Sequence, residues 1–235
     1  MDLPYIEKEN QIKLLMNQHS FTEDEAIRID YEENWKQKRM LFRDQVRCIA
    51  SLYIFLLGRF PTERSKKVMV NCVESPGDGV QTTTDGFTEV SVKLDIDSYF
   101  SLSDFDKKTH ILKKIDEGIV KVANEYSWEH DVFNRITAEI KERNYVNEYV
   151  WAQKSSPDRK YMAEVFCTHD IDYFSAMLNI RDNKSGDLVK TQKVLQERPH
   201  ELVFTQYLGD LKWVSDRTVA MTYRGRKTKW LVEEI

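Results

Sequence analysis

Hydrophobic and polar positions change period along this chain, and each change predicts an element. Residues 5–19 read as a short polar helix, and Thr22 with Glu25 has the capping-box spacing that starts a second one. Trp35, Phe42, Ile49 and Leu56 recur every seven residues. Val46, Tyr53 and Phe60 widen that stripe, which predicts a long helix from about Asp30 to Leu57, ended by Gly58 and Pro61. Its second half is almost wholly apolar and is expected to be surrounded by other elements. Val68–Val73 predicts a strand before the turn Pro76-Gly77-Asp78-Gly79. After Asp85-Gly86 the alternation is strict: Val90, Val92, Leu94 and Ile96 fall on one side, Glu89, Ser91, Lys93 and Asp95 on the other. That pattern predicts a half-buried antiparallel strand.

A cap at Ser103 with Asp106 introduces a helix with Phe105, Leu112, Ile115, Ile119, Val122 and Tyr126 on its core face. Ser127 reads as the cap of a shorter helix carrying Val132, Phe133, Ile136 and Ile140, so the two make a helical hairpin. From Asn144 the period is two. Turn signals at 156–158, 182–186, 209–210 and 224–225 divide the remainder into about seven strands, Phe174, Ala176, Leu178 and Ile180 sharing one face. Short strands joined by such turns favour consecutive antiparallel pairing. The predicted class is α+β: amino-terminal helices including one long helix, a helical hairpin, and a carboxy-terminal antiparallel β-meander. The expected division is 1–143, mainly helical with one strand pair at about 68–96, and 144–235, the sheet part. At 235 residues, one compact domain is an equally ordinary arrangement.

With 41% hydrophobic and 31% charged residues, five prolines and eight glycines, the chain has material for a core and no low-complexity linker. Its net charge of −4 is uneven: residues 1–35 hold nine acidic side chains against three basic ones. Between Lys212 and Lys229, Arg217, Arg224, Arg226 and Lys227 are opposed only by Asp216. Cys48, Cys72 and Cys167 are far apart with apolar neighbours, the pattern of buried reduced thiols. Together with a start, Met1-Asp2-Leu3-Pro4, unlike a signal peptide, this makes the expected location cytoplasmic. The longest apolar run, eleven residues from Cys48 to Gly58, falls short of the about 20 a spanning helix needs, so no membrane partner is expected.

Phosphate-loop, dinucleotide-binding and Gly-x-Ser-x-Gly signatures do not occur. Cys167, His169, Asp170 and Asp172 offer a metal two ligands on each face of an extended segment, and a catalytic zinc would need a third from elsewhere. His110 with His130-Asp131 resembles, over two helices, the arrangement by which helical phosphohydrolases hold divalent metals. In that first turn of a helix, Glu129 to Asp131 are equally explained by the helix dipole. Asp85, Glu89, Lys93 and Asp95 approach a nuclease pattern, but three residues separate Glu89 from Lys93 where one is required. Neither a cofactor nor a bound metal is implied.

Basic and aromatic residues alternate from Lys212-Trp213 to Trp230, which suits phosphate contacts and base stacking. Val219, Met221 and Tyr223, then Thr228, Trp230 and Val232, describe a hairpin about Gly225 with Trp230 inward. The acidic overall balance argues against nucleic acid as the partner. Tyr145, Tyr149 and Trp151 share a strand face that suits a docking surface or packing against the hairpin. The functional expectation is a non-enzymatic module that binds a protein, a basic one fitting the acidic surface, through Glu23, Asp24, Glu25, Glu32 and Glu33 and through Tyr145, Tyr149 and Trp151. Immunity proteins and antitoxins, which cover the active surface of a basic toxin, have this kind of composition. The alternatives are a metal-dependent hydrolase assembled around His169, Asp170 and Asp172, and a nucleic-acid binder using 212–230.

Overall fold

The computed structural model describes residues 1–235, which form two compact units, Met1–Tyr145 and Val146–Ile235. The chain is mixed α+β, with helices in its first part and antiparallel strands in its last.

In the first unit, α1 spans Glu9–His19 and α2 spans Glu23–Asp30. The capping box at the start of α2 is formed: the Glu25 amide donates to Thr22 Oγ1 at 3.4 Å, and the Thr22 amide donates to Glu25 Oε2 at 2.9 Å. The single long helix expected from about Asp30 is interrupted twice. Tyr31–Trp35 is a π-helical turn, followed by α3, Lys36–Gln45, and, after a bend at Val46, by α4, Arg47–Leu57.

The π turn carries one extra residue, and its side chains use the altered spacing. Asp30 accepts from Tyr5 Oη at 2.7 Å and from Asn34 Nδ2 at 2.8 Å, while Trp35 Nε1 donates to the Leu3 carbonyl at 3.3 Å. These bonds hold residues 3–5 against the helix. Phe42, Val46, Ile49 and Tyr53 are buried, as the stripe predicts, and Gly58, at φ 60°, ends α4. The apolar second half of α4 is not surrounded, however: Ile54 is 66% and Phe55 71% exposed.

Strands β1 (Lys67–Val73), β2 (Val80–Thr82) and β3 (Phe87–Lys93) form a sheet with β3 in the middle. β3 pairs antiparallel with β2 across the tight turn 83–86. Its other edge pairs with β1 in parallel, Val70 opposite Val90, where antiparallel pairing was expected. The chain leaves β1, crosses to the far side of the sheet for β2, and only then returns through the middle. Val90 and Val92 are buried and Glu89 and Lys93 exposed, as alternation requires, but Ile96 already belongs to α5 (Ile96–Phe100), which Asp95 caps.

α6 (Asp104–Tyr126) starts at its Ser103 cap, packs on β1 and β3 as well as α4 and α7, and buries Ile111, Leu112, Ile115, Val122 and Ala123. Phe105, expected in the core, is 51% exposed and meets the Tyr145 ring edge-on at 5.3 Å. Ser127 does not cap the next helix. At φ 56° it is the left-handed residue that terminates α6, and Trp128 N donates back to Ala123 O. α7 (Asp131–Glu142) buries Phe133, Ile136 and Ile140, and its Thr137 Oγ1 donates to Asp116 Oδ1 of α6 at 2.6 Å, joining the hairpin.

The second unit holds seven strands in two sheets rather than one meander. β4 (Glu148–Ser155), β5 (Tyr161–His169), β6 (Phe174–Asp182) and β7 (Leu188–Glu197) pair consecutively. A short helix α8 (Glu201–Phe204) and the 3₁₀ turn Thr205–Tyr207 then lead to β8 (Leu211–Trp213), β9 (Thr218–Thr222) and β10 (Lys229–Glu234). One core lies between the sheets: Ala163, Val165 and Cys167, then Phe174, Ala176, Leu178 and Ile180, meet Phe204, Leu211, Val219 and Met221. Full burial of each large apolar side chain contributes about 1.5–3 kcal/mol, so this cluster is the unit's main stabilising element.

The edges of the small sheet are tied to those of the large one. Trp213 Nε1 donates to the Lys154 carbonyl of β4 at 2.8 Å, and Lys190 of β7 bridges to Glu233 Oε2 and the Glu234 carbonyl of β10. Edge strands are thereby covered.

Candidate interaction surfaces

The acidic residues of the first unit divide by what they already do. Glu25 completes the capping box, and its carboxyl is held below the usual range by the Thr22 amide and hydroxyl. Glu32 pairs with Lys36 at 2.6 Å, an exposed i,i+4 contact of the kind that adds little to stability. Glu23, Asp24 and Glu33 are exposed and carry no ion pair or side-chain hydrogen bond. Burying any of them under a partner would require a cation from that partner.

Exposed apolar side chains on the same helical run were not anticipated. Met40 and Leu41 on α3 are 40% and 47% exposed, and Ile54 and Phe55 protrude from α4. The helical wheel carries the signal. Ile54 and Phe55 lie off the stripe defined by Val46, Ile49 and Tyr53, so an all-apolar segment concealed an outward face.

Tyr145 belongs to the first unit, and Tyr149 and Trp151 to the second. Tyr145 lies on the left-handed turn that follows α7, at φ 59°, and is buried against Phe105 in the first unit. Tyr149 and Trp151 belong to β4 of the second unit and pack on its core. A bulge between Val150 and Ala152 lets Ala152, next to Trp151, pack on that core as well. Burial pushes the Tyr149 phenol well above its ordinary value, with smaller contributions from Cys167 and Glu201.

Cys167 and His169 do share the inner face of β5, as alternation predicts. His169 is enclosed there: Nε2–H donates to the Pro199 carbonyl at 3.0 Å, and the ring meets Phe174 and Phe204 edge-on. Burial raises the Cys167 thiol to about 12, which favours the protonated thiol at neutral pH. Asp170 accepts from the Ile171 amide at 2.7 Å within the turn to β6, and Asp172 is exposed. His110 lies in the second turn of α6, whereas His130, the N-cap residue of α7, lies beyond the C-terminal end of α6, with roughly 24 Å of helix between His110 and that end; His130 Nε2 is bonded to Asn124 Oδ1 at 3.1 Å. No three His, Cys, Asp or Glu side chains are placed to hold a metal ion. Asp85 lies in the β2–β3 turn and Asp95 caps α5, so neither joins Glu89 and Lys93 on the sheet.

Compared with protein-family models, curated proteins and solved structures, the chain matches none.

The carboxy-terminal hairpin is the remaining surface. Val219 and Met221 face inward as expected, but Val232 is 54% exposed. A bulge between Lys229 and Leu231 reverses the parity, letting both Trp230 and Leu231 pack on the core. Trp230 Nε1 donates to the Tyr207 carbonyl at 2.8 Å and to the Thr222 carbonyl at 3.2 Å. No helix is long and apolar enough to cross a membrane.

Proposed function

We propose that this chain is a non-enzymatic protein-binding module whose helical face takes a basic protein partner, in the manner of an immunity protein or antitoxin. The observation that carries the reading is the combination of exposed, unpaired Glu23, Asp24 and Glu33 with exposed Met40, Leu41, Ile54 and Phe55 on one helical run. Apolar side chains supply area that gains from leaving water. Unpaired carboxylates supply orientation and an electrostatically accelerated encounter with a cationic surface. Their free state matters, because a carboxylate already neutralised by its own lysine contributes little to attraction at a distance. The partner surface excludes Glu25, which is committed to starting α2, and Tyr145, Tyr149 and Trp151, which are committed to packing.

The test is recovery of the tagged full chain from lysate of its source at low and at high salt. The reading expects one stoichiometric basic protein, retained at low salt and released at high salt. Recovery of nucleic acid alone, or of no protein at either salt, would overturn it.

A further inference from the structure

The loop joining β9 to β10 concentrates positive charge on a backbone that is fixed rather than pliant. Arg226 N donates to the Tyr223 carbonyl at 3.1 Å, closing a turn whose third residue, Gly225, has φ 68°. Such a turn needs a positive φ at that position, which glycine adopts freely. Tyr223 N donates to Thr228 O at 3.1 Å, and Arg224 N donates to Gln206 O at 2.7 Å, so the loop is also pinned to the 3₁₀ turn beside it.

Four cations project from this frame: Arg224, Arg226, Lys227 and Lys229. All are exposed, and none has an ion pair or a side-chain hydrogen bond. Elsewhere in the unit, Lys160 and Lys190 are matched with Asp158 and Glu233. Four like charges crowded on one short loop repel one another, and the fold gains nothing from the arrangement. A polyanion would relieve it.

The neighbouring side chains narrow the kind of polyanion. Tyr207, Tyr223 and Trp230 form a half-buried aromatic cluster, with the Tyr207 ring 5.6 Å from that of Tyr223 and 5.5 Å from that of Trp230. Two hydrogen bonds lock the indole, so the Tyr207 and Tyr223 rings pack against a fixed neighbour at the base of the basic loop. Cations that track phosphates beside rings that accept a base are the two parts of a single-strand nucleic-acid site. A duplex offers no unstacked base to the rings.

We propose that residues 223–229, with Tyr207 and Trp230, bind single-stranded nucleic acid without sequence preference. Phosphates contact Arg224, Arg226, Lys227 and Lys229, and a base stacks on Tyr223. This site is independent of the acidic helical face and stands whether or not that face takes a protein. The mild net charge of −4 does not oppose it, because at physiological salt charges more than about 8 Å away are screened.

The experiment is fluorescence anisotropy of a labelled oligothymidine 20-mer titrated with the full chain between 50 and 300 mM salt. With four phosphate contacts on a single strand, the log-log salt slope is expected near −3, about 0.7 per contact. Replacing Arg224, Arg226 and Lys227 by Glu should weaken binding more than tenfold and flatten the slope by about 2. Tyr223→Ala should weaken binding several-fold while leaving the slope unchanged, a split that a purely electrostatic patch would not give. Should the charge-reversed chain not fold, Arg224→Gln with Lys227→Gln carries the same comparison, with the slope reduced by about 1.4. Absence of saturable binding at 50 mM salt, an unchanged slope in the charge variants, or tighter binding of a duplex of the same length would overturn the proposal.

Discussion

Gly118 on α6 lies so close to Val70 of β1 that a Cβ placed on it would stand 2.6 Å from Val70 Cγ2 and 3.0 Å from Cγ1, with Val90 Cγ1 at 3.3 Å. The helix is seated on the sheet at the one position in its buried face that carries no side chain. Glycine inside a helix normally costs about 1 kcal/mol relative to alanine, so Gly118→Ala would stabilise an open site. Here the opposite is expected. Forcing a methyl group into the contact should destabilise the protein by about 1–3 kcal/mol, read as a lower urea midpoint. Val70→Ala should recover part of the loss in the double variant, and a Gly118→Ala protein as stable as the parent would show the contact to be looser than described.

Gly209 poses a harder case, because what it faces is backbone. A Cβ there would lie 2.5 Å from the Thr222 carbonyl oxygen and 2.5 Å from the carbonyl of Tyr223. Flexible side chains can move aside; a strand end bonded on both sides cannot. Gly209→Ala should therefore cost more than Gly118→Ala and speed amide exchange at Tyr223 and Arg224. Unaltered exchange at those two amides would contradict the packing of the 3₁₀ turn against β9.

Burial raises the Asp116 carboxyl above its ordinary value, against the opposing hydrogen bond from Thr137 and the charge of Lys141. A carboxyl whose folded pKa is raised holds its proton more tightly when folded. Its contribution to stability is therefore fully present below the ordinary value and lost as pH rises through the raised one. Asp116→Asn, which cannot ionise, should gain stability relative to the parent as pH is increased from 3 to 7. Thermal midpoints across that range check it, and a difference that shrinks with rising pH would refute the sign.

The Tyr53 hydroxyl is buried without a hydrogen-bond partner, and burial, with the charge of Asp116 second, pushes its phenol well above the ordinary range. An orphaned buried hydroxyl costs its desolvation, about 1–3 kcal/mol, and returns nothing. Tyr53→Phe is thus expected to be neutral or stabilising in chemical denaturation. A loss of more than about 1 kcal/mol would mean that the hydroxyl is satisfied in solution.

The periods of the sequence carried most of the fold. Alternation placed Cys167 with His169 and aligned Phe174 to Ile180, and the Thr22–Glu25 spacing located the start of α2. Several misplaced features depend on a partner distant in sequence or on a single inserted residue. The π turn at 31–35 answers to Tyr5 and Leu3, and the parallel pairing of β1 with β3 follows from where β2 lies. The bulges at Trp151 and Trp230 each reverse a parity that local alternation takes as fixed. Whether an acidic residue is available to a partner was equally hidden. Glu32 and Glu33 stand side by side in sequence, yet one is paired with Lys36 and the other is free.

That difference determines how the acidic face must be probed. Reversing Glu25 would remove the N3 half of the capping box that starts α2 and mix instability with lost binding. Glu23, Asp24 and Glu33 can be changed to Lys without touching any hydrogen bond.

The most direct test of the protein-binding account is a side-by-side recovery of partners by the parent chain and by a Glu23→Lys, Asp24→Lys, Glu33→Lys variant, at low salt, with quantitative mass spectrometry. The account predicts one basic protein retained in stoichiometric amount by the parent and at least tenfold less by the variant. Equal retention of the same protein by both chains would contradict it.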